Sequence, residues 1–357
     1  MHIAVVTKNM GAGGAERVIA QLLKEWTKNG VSCTLICIHP GEKFYSVCEG
    51  IDRYDMPKFS ENYNVDKLLR YRHLRKVIRK ISPDIVLSLP EEIGIYVISA
   101  LLGTRIPVVV SERNDPWLMP NKKITRILRK LMYPFASGIV FQTEQAASFF
   151  SSTIRKKSIV LPNPLDLTRV PKSYEGERAR VIVGVGRLVP QKNFRLLIDA
   201  FFDFYEEHKD YKLIIYGEGY LRDELEEYAC KLPQDVISFP GVSQNLLEEI
   251  NSASMFVLSS DYEGLPNVLI EAMAMGMPVV ATDCRPGGAS SLIDHKKNGM
   301  IVPIGDVCGL SDAMKMLADN PDFADSIGKE ALRIKKVLDS KEVSNAWLEY
   351  LSSRLLV

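Results

Sequence analysis

Two glutamates stand eight positions apart in "DYEGLPNVLIEAMAMGMPVVATD", residues 261–283. Glu271 is the one ionisable side chain between Gly264 and Thr282, inside a strongly apolar run. A lone buried carboxylate is costly unless something hydrogen-bonds it, so Glu271 is either a satisfied structural residue or the holder of a polar ligand. Pro266 suits the first position of a helix, and the run from Val268 reads as a buried one. Its start, around Gly264, Leu265, Pro266, Asn267 and Val268, presents backbone amides to an anion. Glu271 then lies about five residues in, roughly 7–8 Å along the axis, the reach from a diphosphate to its adjoining ribose. Glu263, on the loop before, faces the other way, towards a sugar on the far phosphate. Paired carboxylates also serve glycoside hydrolysis. Here, however, one is in an apolar helix and the other lies beyond its start, beside an anion site.

Further polar groups fall where strands end. In "VGVGRLVPQKN", Gly186, Arg187 and Lys192 follow a buried run, and two cations five apart could clamp a diphosphate. Solvated surface charge is the rival reading of that pair. "YGEG" offers Gly217, and "SFPGVSQ" offers Gly241 and Val242, each weak alone. Near the start, "VVTKNMGAGGAERV" is strand, glycine loop and helix, with Gly13 and Gly14 either facing a phosphate or sugar or making a purely structural tight turn. A dinucleotide fingerprint fits poorly, because Glu16 stands where its last glycine belongs and the second strand ends in His39-Pro40 rather than an acid. No Asp-x-Asp occurs, which removes a common metal clamp, and no metal site is expected.

These residues need a scaffold that brings strand ends together. "HIAVV", "CTLICI", "DIVLSL", "PVVVS", "GIVFQT" and "SIVLPN" are short apolar runs of the kind buried on both faces of a parallel sheet. Helix-period segments alternate with them. The pattern restarts after a polar stretch containing Pro164 and Pro171, with "RVIVGVG", "KLIIYG", "VISFPG", "SMFVLSS" and "PVVATD". An α/β protein of two doubly wound, Rossmann-like domains facing a cleft follows, 1–165 and 166–340. The 357 residues agree with two domains. The six cysteines are scattered and read as reduced, and neither a signal peptide nor a spanning helix is expected.

With those residues in view, the chain resembles a family 4 glycosyltransferase of the B-type fold, in the bacterial branch that builds capsule, exopolysaccharide, O-antigen or lipid-linked glycans. The resemblance rests on "GGAERV" at 13–18, "SERNDP" at 111–116, "LPNPLD" at 161–166, "GRLVPQKN" at 186–193, "YGEG" at 216–219, the Glu263–Glu271 spacing and "NGMIVPIGD" at 298–306. It implies retaining transfer of a hexose or N-acetylhexosamine from a nucleoside-diphosphate sugar, with UDP the family-level choice. No metal or cofactor is implied. Arg187 and Lys192 would stabilise the departing diphosphate. Glu263 would hold donor-sugar hydroxyls and Glu271 the ribose. The base would lie near Gly217 and the Gly241-Val242 turn, while Gly13-Gly14 would close the site from the first domain. Glu112, Arg113 and Asn114 would lie on the acceptor or donor-sugar side; many relatives carry a His where this chain has Arg113. A second departure is Ser290, where relatives often have Glu. A final helix, 341–357, is expected to pack back on the first domain. A nucleotide-sugar epimerase of the same architecture, or a transferase with a soluble acceptor, are the rivals.

Charge divides unevenly: residues 1–168 hold 24 Lys and Arg against 15 Asp and Glu, while 169–357 hold 21 against 29. The basic segments 66–80, "DKLLRYRHLRKVIRK", and 121–135, "NKKITRILRKLMYPF", each carry an apolar stripe. Either the stripes pack inward as on ordinary surface helices, or they dock on an anionic bilayer, with charge from Arg70, Arg75, Arg126 and Arg129. Docking would bring the enzyme to a polyprenyl-diphosphate-linked glycan at the inner face of the cytoplasmic membrane. Nucleic acid is not expected as a partner, since no aromatic platforms are interleaved with the charge.

Overall fold

The computed structural model describes every residue except 12, 40, 42–44, 46, 356 and 357. The chain forms two compact units, Met1–Pro164 together with Leu338–Val357, and Leu165–Val337.

In the first unit seven strands form one sheet: β1 (His2–Thr7), β2 (Ser32–Cys37), β3 (Asp52–Asp55), β4 (Ile85–Ser88), β5 (Val108–Ser111), β6 (Gly138–Phe141) and β7 (Ser158–Val160). Their order is β3-β2-β1-β4-β5-β6-β7, with every pairing parallel. Strands β4, β5 and β6 are buried at every position, as runs of Val, Ile and Leu covered on both faces must be. Strand β3, "DRYD", has no apolar run because it is a half-exposed edge. The helices used below are α1 (Gly14–Lys28), α2 (Tyr63–Ile81), α3 (Glu91–Leu101) and α4 (Lys123–Met132).

The last helix, Ser340–Ser353, belongs to this unit. Trp347 and Leu351 are fully buried in the same cluster as Trp26 of α1. The Trp26 indole donates to the Ser344 carbonyl at 3.1 Å, and the Tyr350 hydroxyl accepts from the Ile139 amide at 3.0 Å. Burying such large side chains stabilises by about 1.5–3 kcal/mol each, so this helix is fastened firmly.

The second unit holds β8 (Ala179–Val185), β9 (Lys212–Tyr216), β10 (Ile237–Gly241), β11 (Ala253–Leu258), β12 (Val279–Thr282) and β13 (Met300–Val302), in the order β10-β9-β8-β11-β12-β13. All these pairings are parallel too. The strand order reverses at β8 and β11, and ligands bind beyond the carboxyl ends at such a reversal. In the first sheet the reversal lies at β1 and β4. Both units are therefore doubly wound α/β layers.

Candidate active site

At the carboxyl edge of the second sheet, the ends of β10, β9, β8 and β11 follow one another in space and bring the glycines and charges together. The Gly217 amide donates to the Gly241 carbonyl at 2.8 Å, joining the ends of β9 and β10. A Cβ on Gly217 would stand 1.9 Å from the Gly186 carbonyl oxygen, and its φ is +136°, so only glycine allows β8 and β9 to meet so closely here. Lys192 folds back over Gly186, where a Cβ would lie 3.0 Å from its Cε. Val242 is exposed on the rim.

Lys192 forms an ion pair with Glu263, and Ser260 Oγ donates to the same carboxylate oxygen at 2.8 Å. Both charged side chains are about nine-tenths buried, at 13% and 10% exposure. The surrounding loop is clasped by backbone bonds. The Asp261 amide donates to the Gln191 carbonyl at 2.9 Å, Gln191 Nε2 to the Tyr262 carbonyl at 2.9 Å, and the Glu263 amide to the Arg285 carbonyl at 2.9 Å. Asn193, in the left-handed region at φ +43°, caps the helix Phe194–Tyr205 and donates to Asp261 at 2.7 Å. Arg187 is exposed beside this cluster; its carbonyl accepts from the Val189 amide at 2.8 Å, and its guanidinium makes no hydrogen bond or ion pair among the described residues. Lysine has three donors and Glu263 Oε1 takes one, so Lys192 retains capacity for an anion.

The helix Asn267–Ala274 starts directly after Gly264, Leu265 and Pro266, and its N-cap, Pro266, makes no side-chain capping bond. Glu271 sits within it at 3% exposure, and Val268 is half-buried in its first turn. Gly264 is pressed by the turn after β12: a Cβ on Gly288 would lie 1.7 Å from its carbonyl oxygen. Cys284, also buried here, is no thiolate near neutrality. Burial first, and then the Glu263 carboxylate, push its thiol up to about 12.

At the carboxyl edge of the first sheet, Arg113 follows β5. It is half-buried, and its Nη2 donates to Asn163 Oδ1, which also accepts from Gln142 Nε2 at 2.8 Å. Its Nε and Nη1 are shielded from solvent and find no partner among the described residues. Burial lowers Arg113 to about 10, so it stays cationic at pH 7. Its backbone amide donates to Glu91 at 3.4 Å, and burial raises that carboxyl above the ordinary range. Glu112, placed by its motif beside a ligand, is instead 1% exposed and engaged inward. It accepts from Arg129 Nη1 at 3.1 Å and from the Tyr133 hydroxyl. Asn114 is half-buried next to Asp115. Gly13 caps α1 and Gly14 is its first residue, with Glu16 folded back so that a Cβ on Gly13 would overlap its carboxylate. Ala12 and Pro40 lie outside the described residues.

The family description "Glycosyltransferase Family 4" matches residues 12–169, and "Glycosyl transferases group 1" matches 179–320. The chain is a family 4 glycosyltransferase. A Campylobacter jejuni relative, GalNAc-alpha-(1->4)-GalNAc-alpha-(1->3)-diNAcBac-PP-undecaprenol alpha-1,4-N-acetyl-D-galactosaminyltransferase, is 25% identical over 359 residues, covering 99% of this chain and 98% of the relative. A second C. jejuni enzyme, N-acetylgalactosamine-N,N'-diacetylbacillosaminyl-diphospho-undecaprenol 4-alpha-N-acetylgalactosaminyltransferase, is 27% identical over 371 residues, covering 98% and 99%. Anabaena HepE in complex with UDP-glucose superposes with a TM-score of 0.82 at 18% identity, covering 99% of this chain and all of that one. Sucrose-phosphate synthase from Thermosynechococcus elongatus reaches 0.86 at 14%, covering 99% of each. This glycosyltransferase therefore has the B-type architecture of two Rossmann-like units.

Its two basic helices differ. In α2 the apolar stripe divides: Leu74 and Ile78 are buried and Tyr71 and Val77 pack against the same core, while Leu68 at its start is 54% exposed. Most of the 66–80 stripe is therefore taken up by the core rather than left for a bilayer. In α4 the stripe turns outward, with Ile124, Ile127, Leu128 and Leu131 41–60% exposed. The four arginines assigned to a lipid surface are engaged by the fold. Arg70 pairs with Asp66 at 2.5 Å, Arg75 donates to the Ala100 and Leu102 carbonyls, Arg126 to those of Leu118 and Pro120, and Arg129 to Glu112. Exposed lysines Lys122, Lys123 and Lys130 remain around α4. No helix among the described residues is long and apolar enough to cross a membrane.

Ser260, Gly288 and Gln142 complete the two sites without being singled out by the sequence; Gln191 and Asn163 lie inside quoted motifs without a role, and Arg129 reads in sequence as a lipid-surface charge instead. Only the paired glycines of "RPGG" carried a signal, one that marks a turn rather than the loop it supports.

Proposed function

We propose that this glycosyltransferase moves a hexose or N-acetylhexosamine from a UDP-sugar to a lipid-linked oligosaccharide, with retention at the anomeric carbon. The observation that carries the donor side is the Lys192–Glu263 pair, seated beside exposed Arg187 and the start of the helix Asn267–Ala274. Lys192, Arg187 and the helix start supply positive potential where a diphosphate gains charge on leaving. Glu263, held by Ser260, is placed for donor hydroxyls, and Glu271 for the ribose. The acceptor hydroxyl oxygen bonds to the anomeric carbon as the bond to the diphosphate oxygen breaks. The hydroxyl proton passes to that departing oxygen, so no protein nucleophile is required. Arg113, with two shielded N–H atoms lacking partners, is assigned to an acidic or hydroxyl-bearing group of the acceptor or donor sugar. An unpartnered buried donor costs about 1–3 kcal/mol, which a bound ligand relieves. The names of the C. jejuni relatives support an undecaprenyl-diphosphate-linked acceptor. The outward stripe of α4 with its lysines supports reaching it from a bilayer surface.

The test is a panel of UDP- and GDP-sugars screened by thermal shift with EDTA present, followed by mass spectrometry with polyprenyl-diphosphate glycans. Stabilisation by one nucleotide sugar, lost in Arg187→Ala, is expected. Binding that strictly needs Mn²⁺, or no binding at all, sinks the donor reading.

A further inference from the structure

Helix α4 is attached to its unit in an unusual way. Its one buried residue is Arg129, while Ile124, Ile127, Leu128 and Leu131 face out and only Met132, at its end, packs against the core. Arg129 Nη1 donates to Glu112 Oε2 at 3.1 Å and to the Met119 carbonyl at 2.9 Å, and Nη2 donates to the Pro116 carbonyl at 2.6 Å. Its guanidinium lies 5.1 Å from the ring centres of both Phe149 and Phe150. One turn earlier, Arg126 Nη1 donates to the carbonyls of Leu118, Pro120 and Asn121 at 2.7, 2.9 and 3.2 Å. Two guanidinium groups on one face of α4 thus grip the loop 112–121, and Glu112 immediately precedes Arg113 in that loop.

We infer that Arg129 is a positioning residue that ties the lipid-facing side of α4 to Arg113. The inference rests on the reading that α4 lies on an anionic bilayer. A ten-residue helix whose one buried side chain is Arg129, with its stripe in water, belongs to the low-stability end of a fold. Seating the stripe in a headgroup layer removes that fraying. Because the Arg129 fork reaches three acceptors spread over 112–119, ordering α4 orders the loop and fixes where Arg113 stands. The coupling is reciprocal, as any linkage between two sites must be. Lysine cannot reproduce it, since an ammonium lacks the planar fork.

Hydrogen exchange by mass spectrometry on the full chain tests this, with phosphatidylglycerol/phosphatidylethanolamine vesicles and phosphatidylcholine vesicles as control. The anionic vesicles are expected to slow exchange in 123–132 and, by at least ~5-fold, in 112–119 as well. In Arg129→Lys the helix still slows, but the response of 112–119 disappears. A purely structural arginine would raise exchange in the variant without vesicles yet leave the vesicle-dependent ratio unchanged. Glu112→Gln, of the same shape, weakens the ratio and serves if Arg129→Lys fails to fold. The inference is overturned if α4 slows while 112–119 does not, or if the variants keep the wild-type ratio. If α4 itself does not respond, the bilayer reading falls and takes the inference with it.

Discussion

Replacing Lys192 by Met keeps the aliphatic stem over Gly186 but leaves the Glu263 carboxylate without its cation. Removing one partner of a fully buried pair costs about 3–5 kcal/mol. Here roughly a tenth of each side chain is still exposed and Ser260 still donates to Glu263, so about 2–3 kcal/mol is expected. For a unit of this size, 1 kcal/mol moves Tm by about 2–4 °C, giving a fall of roughly 4–12 °C. Glu263→Gln should cost less, about 1 kcal/mol, because lysine recovers hydration more readily. The double variant should fall short of the summed losses by about 1–2 kcal/mol, the coupling of the pair. Calorimetry and urea unfolding of the four proteins measure this. UDP adds a second reading. At about a hundred times its Kd it stabilises by roughly 2.7 kcal/mol, a gain that Glu263→Gln should retain and Lys192→Met should lose. Additive losses within about 0.5 kcal/mol would show that the pair does not form in solution. A UDP response undiminished in Lys192→Met would remove Lys192 from the diphosphate site.

Three further outcomes follow from the geometry. Burial lifts the Glu112 carboxyl to about 7, with Arg129 pulling it back and Glu91 pushing it further, so the native state holds an extra proton between about pH 4.5 and 7. Its contribution, about 3 kcal/mol, is complete below pH 4.5 and is lost as pH rises through 7; urea unfolding from pH 4.5 to 8 should show a slope that flattens in Glu112→Gln. Gly288→Ala would drive a Cβ into the Gly264 carbonyl, costing about 1–3 kcal/mol by urea unfolding and abolishing the UDP thermal shift, since the loop before Asn267 must move. Ile127→Glu with Leu131→Glu should change stability by less than about 0.5 kcal/mol, both sites being exposed, yet end co-sedimentation with phosphatidylglycerol vesicles; retained sedimentation would remove α4 as the docking face.

The strands that build both sheets were legible because parallel strands covered on both faces leave near-continuous runs of Val, Ile and Leu. One edge of each sheet escaped: β3 is polar and half-exposed, and β13 is three residues long inside a motif. Helix α2 shows why a stripe alone does not decide a partner. Its apolar residues at 71, 74, 77 and 78 have the same period as those of α4, yet one set faces the core and the other faces water.

By itself the sequence determined the double strand–helix alternation, the glycines that let strand ends approach, and the order of motifs that marks the family. Each depends on local spacing: burial on both faces, a φ open only to glycine, a helix beginning at proline. The tertiary structure alone decided the pairings. Lys192 meets Glu263 across 71 positions, and Tyr350 meets Ile139 across 211. It also decided which charges are available, leaving Arg187 exposed and turning Glu112 and Arg129 upon each other. A charged residue reads the same in sequence whether it faces a ligand or a partner 17 positions away, because burial and pairing are properties of the packed chain.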